Sequence, residues 1–327
     1  MTTRMHRRAV LPLLASNALW PWAAHGQEPG RIYRIGHLYN SPYDAPHHAA
    51  LRGELGRQGF VEGRNITYDR QGYGLRREQY AAHVAELVKG KVDVIAASGD
   101  AGIRAAQQAT STIPILGVAD DMVGAGLVVS LARPGGNTTG VSLLATELDG
   151  KRQALLMELL PGARRMAALA DEQTSVPGKL QALRDLARAR GVDLVVYPVG
   201  TVEAITPAID AAKAAGAEGL NVLATPLLFN ARRIIFERTA ALALPAIYQW
   251  PDMAREGGLV AYGPSIVQIF RDELARQLVK LLRGAKPADL AVQQPTKFET
   301  AINMKTAKAL GLTVPPLLLA QADEVIE

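Results

Sequence analysis

The chain has 327 residues, enough for two domains, and 48% of them are hydrophobic, so a large core can be buried. A charged fraction of 20% argues against disorder, and the complete lack of cysteine excludes disulfides, thiolate metal sites, a cysteine nucleophile and a lipid-bearing cysteine. Of the formal +5 charge, Arg4, Arg7 and Arg8 stand in a 26-residue opening stretch without acidic residues; the remainder is nearly neutral and carries no electrostatic footprint for nucleic acid.

That opening stretch reads as a secretory signal. The arginines precede an apolar run, Ala9 to Ala24, and Ala24-His25-Gly26 supplies the small residues at which signal peptidase cuts. Cleavage is expected near Gly26–Gln27, leaving a periplasmic protein. Arg7-Arg8 keeps general and twin-arginine export both open.

From Arg34 onward, short apolar runs alternate with helical segments. Strands are expected at 34–38, 65–73, 92–97 and 113–119. Helices are expected at 45–58, 78–89 and 101–109. Tyr80, Val84, Leu87 and Val88 have helical spacing, whereas Val92–Ala97 is a continuous apolar run, as in a strand covered on both faces. This βαβαβαβ order predicts a parallel sheet with helices on both sides. Leu131 to Gly140, rich in Pro and Gly, then breaks the pattern. A second unit follows, with helices at 151–160, 179–190, 202–215 and 229–242 and strands at 166–170, 193–199, 219–225 and 245–250. After the break at Glu256-Gly257-Gly258 come Leu259–Tyr262, a long helix 266–283, a loop 284–295, a strand 297–303 and a short helix 304–310. The fold class expected is α/β, with two successive doubly wound units.

Catalytic signatures are missing. No HExxH, EF-hand loop, GxxxxGK[ST] or GxSxG is present, and Gly72-Tyr73-Gly74 and Gly124-Ala125-Gly126 both fail as dinucleotide fingerprints. Four histidines follow the leader, namely His37, His47, His48 and His83. They read as ordinary surface or partly buried residues, and adjacent His47 and His48 would point about 100° apart on a helix. Neither a catalytic group nor a metal or cofactor is expected.

Doubly wound sheets bind ligands at the carboxyl ends of their strands. Here those ends carry Tyr39, Asn40 and Ser41; Ser98, Gly99 and Asp100; Asp120 and Asp121; Asp171; Thr225 and Pro226; and Tyr248, Gln249 and Trp250. Hydroxyls, amides, carboxylates and aromatics suit a ligand with a polar head and a flat or apolar body. Ser98 and Asp100 could equally be caps of the helix that follows, Asp121 a turn carboxylate, and Trp250 a packing residue.

Asp121 to Ser142, which reads DMVGAGLVVSLARPGGNTTGVS, resembles the DPVxxGLVxSLxRPGGNxTGxS signature of the ABC-transporter substrate-binding family that includes tryptophan-binding lipoproteins. Similar stretches are Gly59 to Asn65, Ala109 to Ile115, Gly257 to Pro264, Pro295 to Glu299 and Asn303 to Leu312, so the resemblance covers nearly the whole chain after the leader. Met122 departs from the usual proline, Asp120 from glycine, Thr225 from aspartate and Ala231 from histidine, which puts the family's ligand in doubt for this chain. The resemblance implies a type I periplasmic binding protein: two Rossmann-like lobes joined by three hinge crossings at Thr139–Val141, Val260–Tyr262 and Phe298–Ala301. Lobe one would comprise 31–140 plus 264–296, and lobe two 141–263 plus 297–327. The implied partners are a small-molecule ligand and an ABC permease in the inner membrane, with the protein itself a monomer. A receptor for a membrane sensor and an exported α/β enzyme are the rival readings. A DNA-binding regulator would need a helix-turn-helix where the leader stands.

Overall fold

A computed structural model describes residues 30–173 and 177–327; the expected leader, 1–26, lies outside the described residues. Two separate sheets organise the chain. Strands β1 (Tyr33–Leu38), β2 (Ile66–Tyr68), β3 (Val94–Ser98), β4 (Ile115–Ala119) and β5 (Thr138–Ser142) form a wholly parallel sheet in the order β2-β1-β3-β4-β5. Strands β6 (Arg165–Asp171), β7 (Asp193–Val199), β8 (Leu220–Val222), β9 (Ala246–Tyr248), β10 (Val260–Gly263), β11 (Glu299–Asn303) and β12 (Glu324–Ile326) form the other. Read from its β7 edge, the second sheet repeats the first as β7-β6-β8-β9-β10, then adds β11 and β12. Both are the doubly wound order that places the switch point beside the first strand of each unit. The β10–β11 pair is antiparallel and the others in this sheet are parallel.

The central strands lie buried between helix layers, so their apolar runs are continuous. Val94, Ile95, Ala96 and Ala97 are at most 1% exposed, as are Met166 to Ala170. Several expected elements differ in detail. The expected strand 65–73 stops at Tyr68 because the Asp69 side chain accepts the Gln71 N–H (3.2 Å) and turns the chain into the 3₁₀ turn Arg70–Gly72. Gly72 packs against β1 so closely that a Cβ there would stand 2.1 Å from the His37 carbonyl oxygen. The expected helix 229–242 is two helices, Pro226–Asn230 and Arg232–Ala241, joined at Ala231. The expected helix 266–283 begins as Ile266–Gln268, widens into a π turn at Ile269–Leu274, and continues as Ala275–Leu282. The helices Pro251–Arg255 and Pro316–Gln321, and β12, carry no signal recognised in the sequence.

The chain passes between the sheets more than once. After β10 it returns to the first sheet, where the 266–282 segment packs on helix Pro46–Arg57. Asp252 holds that turn: it accepts the Ile266 N–H at 2.9 Å, Ser265 Oγ at 3.2 Å and the Arg255 guanidinium at 2.9 Å. The returning chain also lines the edge of β5. Ser142 N donates to the Gln293 carbonyl and Gln293 N to the Gly140 carbonyl, both at 2.9 Å. Gln277 buries its amide there, donating to the Gly140 carbonyl at 2.8 Å and accepting Thr139 Oγ1 at 3.1 Å.

Candidate functional site

The strand order fixes which side chains can meet. Along the carboxyl edge of the first sheet the sequence is the β2 turn, then Tyr39–Ser41, Ser98–Asp100, Asp120–Asp121 and the segment after β5. Opposite lies the edge of the second sheet, with Trp250, Thr225–Pro226 and Asp171 in order. The two edges touch. Arg77 Nη1 donates to Gln173 Oε1 at 2.9 Å, a Cβ on Gly99 would lie 3.9 Å from Pro226 Cγ, and the rings of His47 and Phe229 are 5.9 Å apart.

Several expected site residues lie in this crevice with their polar groups partly engaged. Asn40 and Ser98 are half-buried at the edge of the first sheet. Ser98 opens helix Gly99–Ala109 without a side-chain cap, so it does not play the capping role, and Gly99 takes a φ of +69° that suits glycine. Asp100, at the first turn, has its carboxyl raised above the usual range by desolvation first; Arg104 opposes this and Asp120 and Asp121 add to it, which marks a carboxylate-rich stretch. Asp120 accepts the Thr146 N–H at 3.0 Å and the Thr146 hydroxyl. Asp121 accepts the Gly124 N–H at 2.8 Å, the turn-closing geometry. Asp171, 5% exposed, closes a similar turn onto Gln173 N at 2.9 Å.

Thr225 caps helix Pro226–Asn230, accepting from Leu228 N at 3.3 Å, while Pro226 stays exposed toward Gly99. Gln249 is buried and donates to the Thr225 carbonyl at 3.3 Å. Trp250 is 4% exposed and belongs to the large apolar cluster that runs between the sheets. Tyr248 is corrected: it is a core residue, 1% exposed, with its hydroxyl 3.2 Å from Thr239 Oγ1 and its ring edge-on to Phe236, so it presents nothing to the crevice.

The histidines also differ from expectation. His37, His47 and His48 are buried, not surface residues. His47 and His48, although adjacent, converge on one hydroxyl, with Ser41 Oγ 3.4 Å from His47 Nε2 and 2.7 Å from His48 Nε2. Around them stand Tyr39, Tyr73 and Phe270; Phe270, carried by the π turn, meets His47 edge-on at 4.7 Å. Burial holds His37 and His47 down to about 3, and His48 lower still. Tyr39 Oη and His48 Nδ1 have no hydrogen-bond partner among the described residues, an arrangement that a water or a ligand atom would relieve. The sequence did hold a trace of this cluster, because His47 and His48 stand four and three residues before Leu51, on the stripe that Leu51 and Leu55 bury.

A second feature escaped the sequence reading. Arg152 is fully buried and ties three elements together. It donates to Asp149 Oδ1 (2.6 Å), to the Ala145 carbonyl (2.9 Å), to the Tyr262 carbonyl at the end of β10 (2.8 Å) and to the Gln249 carbonyl (3.2 Å). Asp149 in turn accepts the Ala224 N–H at 3.2 Å, and burial pushes its carboxyl up to about 6 against the pull of Arg152. This hub ties helix Asp149–Leu159 to β10 and to the segment after β9.

Comparison with known proteins agrees with this geometry. Residues 49–326 match the family model described as ABC transporter substrate binding protein. A tyrosine-binding protein from Clostridioides difficile is 28% identical over 263 residues, covering 78% of this chain and 73% of the relative. A Streptococcus pneumoniae ABC domain solved in complex with L-Trp superposes with a TM-score of 0.74 at 22% identity, over 90% of this chain and 100% of that one. A conserved domain protein from Vibrio cholerae superposes at 0.78 with 23% identity, over 90% and 99%. These structures show the same two-lobed α/β fold of the type I periplasmic binding proteins. The family model spans most of the chain, and the chain belongs to the ABC transporter substrate-binding protein family.

Proposed function

We propose that this protein is exported to the periplasm and captures a small organic ligand, amino acid-like or aromatic with a carboxylate, between its lobes for delivery to an ABC permease. The observation that carries this reading is the meeting of the two sheet edges at Arg77–Gln173 and Gly99–Pro226, which leaves the switch points of both sheets facing one crevice. Its lining is of two kinds. Aromatic and imidazole rings stand at the β1 end, the uncapped start of helix Gly99–Ala109 with the Asp100 carboxylate stands at the β3 end, and the Asp121 carboxylate at the β4 end. Such a crevice offers an apolar wall to a flat body, N–H groups to an anion and carboxylates to a cation. The relatives named for tyrosine and solved with L-Trp support the amino-acid class.

In this mechanism no bond is made or broken. The ligand bridges lobe one (31–140 plus 264–296) and lobe two (141–263 plus 297–327), favours the closed form, and the permease reads that form. The chain bends at its three crossings.

Calorimetry of the purified protein against the amino acids, with mass spectrometry of whatever co-purifies, tests the proposal. One amino acid or aromatic acid should bind with unit stoichiometry, reduce the radius of gyration in small-angle scattering and change Trp250 emission. Turnover of the bound compound, or scattering unchanged at saturation, would sink it. N-terminal sequencing of the exported protein should begin near Gln27.

A further inference from the structure

We infer that His47, seated on lobe one between Phe270 and, across the crevice, Phe229 and Arg232 of lobe two, is a proton-operated catch that opens the closed lobes in acid. The inference rests on the two-lobed capture reading and adds a condition under which the ligand is let go.

His47 belongs to helix Pro46–Arg57, which follows β1 of the first sheet. Phe229 and Arg232 belong to the helices that follow β8 of the second. The imidazole is therefore covered from both sides of the crevice, and only 5% of the residue is exposed. Among the described residues, no carboxylate is hydrogen-bonded or ion-paired to it. On its own helix His48 is adjacent, with ring centroids 4.2 Å apart, and Arg52 stacks on Tyr43 at 3.8 Å. The end of β1 contributes Ser41 and Tyr39. The π turn contributes Phe270, whose neighbour Arg271 is bound to Asp272 at 2.8 Å. Tyr73 faces His48. From lobe two comes Arg232, whose charge is shared with Glu256 through bonds of 2.6 and 3.2 Å. A protonated His47 would thus be a second cation beside a guanidinium, away from water.

Burial first, and Arg232 second, hold the closed-state imidazole down to about 3, while an imidazole facing water keeps its ordinary value near 6.5. Opening withdraws Phe229 and Arg232 from the ring, so closure favours its neutral form. The closed form keeps its full advantage above about pH 6.5 and loses it progressively as pH falls toward 3. For one proton, the closed-to-open ratio should drop about 30-fold between pH 7.5 and 5.0.

The natural lack of cysteine makes the test direct. Spin labels on Glu78→Cys and Glu172→Cys, exposed positions at the mouth of the crevice that leave the Arg77–Gln173 contact intact, report closed and open populations by double electron–electron resonance. L-tryptophan or L-tyrosine at millimolar concentration supplies the ligand-bound reference. The closed-to-open ratio should fall by about 30-fold on acidification, and His47→Phe should hold it within about threefold. His47→Gln, a second variant with a neutral polar side chain in the same place, should likewise hold the ratio within about threefold. An unchanged ratio in the parent chain, or a full acid response in His47→Phe, overturns the catch while capture stands. A chain that stays open at both pH values and with either amino acid overturns two-lobed capture, and the catch with it.

Discussion

Arg152 shows how one side chain can hold a whole corner of the fold. A fully buried guanidinium is tolerated only when its donors are used, and four acceptors surround this one. Replacing it alone by methionine should cost about 3–5 kcal/mol, because Asp149 would be left as a buried carboxylate without its partner. Arg152→Met with Asp149→Leu should recover a good part of that loss, since both charges go together. Urea unfolding of the three proteins checks this; a single variant within 1 kcal/mol of the parent would show the hub to be dispensable. A close reading of residue spacing could have found it. Arg152 lies three, four and seven residues before Leu155, Leu156 and Leu159, on a stripe that is otherwise buried and apolar. What spacing could not supply is the partner set, since the Gln249 and Tyr262 carbonyls come from about a hundred residues away and only the assembled lobe brings them in.

Among the elements, those with a strong period were the legible ones. Helix Tyr80–Lys89 and strands β3, β6 and β7 fall within a few residues of their expected positions, because continuous apolar runs and 3.6-residue spacing have few other solutions. Strand β5 is the counterexample. Its Pro/Gly-rich approach reads as a break, and only the family resemblance marks Thr139–Val141 as a strand. The structure explains the composition, because β4 and β5 approach closely enough that a Cβ on Gly140 would sit 1.8 Å from the Gly117 carbonyl oxygen. Gly140 also has a φ of +148°, a region that other residues avoid. Gly140→Ala should therefore destabilise the protein by at least about 2 kcal/mol and loosen the Gln277 and Gln293 contacts on that strand. A lower urea midpoint together with faster hydrogen exchange at Thr139–Val141 would bear this out, and a parent-like midpoint would refute it. The π turn at Ile269–Leu274 left no trace in the sequence, because an extra residue in a helical turn changes no composition and barely shifts a short apolar pattern.

At the scale of the molecule, acid should act on stability as well as on closure. His37 is 1% exposed, packed among Tyr39, Tyr68 and Tyr73, and burial holds it down to about 3, although Asp69 pulls the other way. Unfolding returns it to about 6.5, so the folded state is favoured above that value and loses the advantage as pH falls. Between pH 7 and 5 this one group should remove about 2 kcal/mol. His37→Phe should flatten the pH profile of the urea midpoint by that amount, and an unaltered slope would mean that His37 keeps access to water.

The return of residues 266–282 to helix Pro46–Arg57 has a consequence for how the protein is made. Chains emerge from the amino terminus, and all five strands of the first sheet precede the second unit. The cover for Tyr39, Leu51 and Leu55 is nevertheless encoded beyond residue 265. A nascent chain halted after Gly263 would possess ten of the twelve strands found among the described residues and still leave that apolar face bare. The first lobe to be synthesised is thus the last to be finished. Until the ribosome has read through Leu282, the β1 side of the crevice is an open hydrophobic surface of the kind that folding chaperones hold.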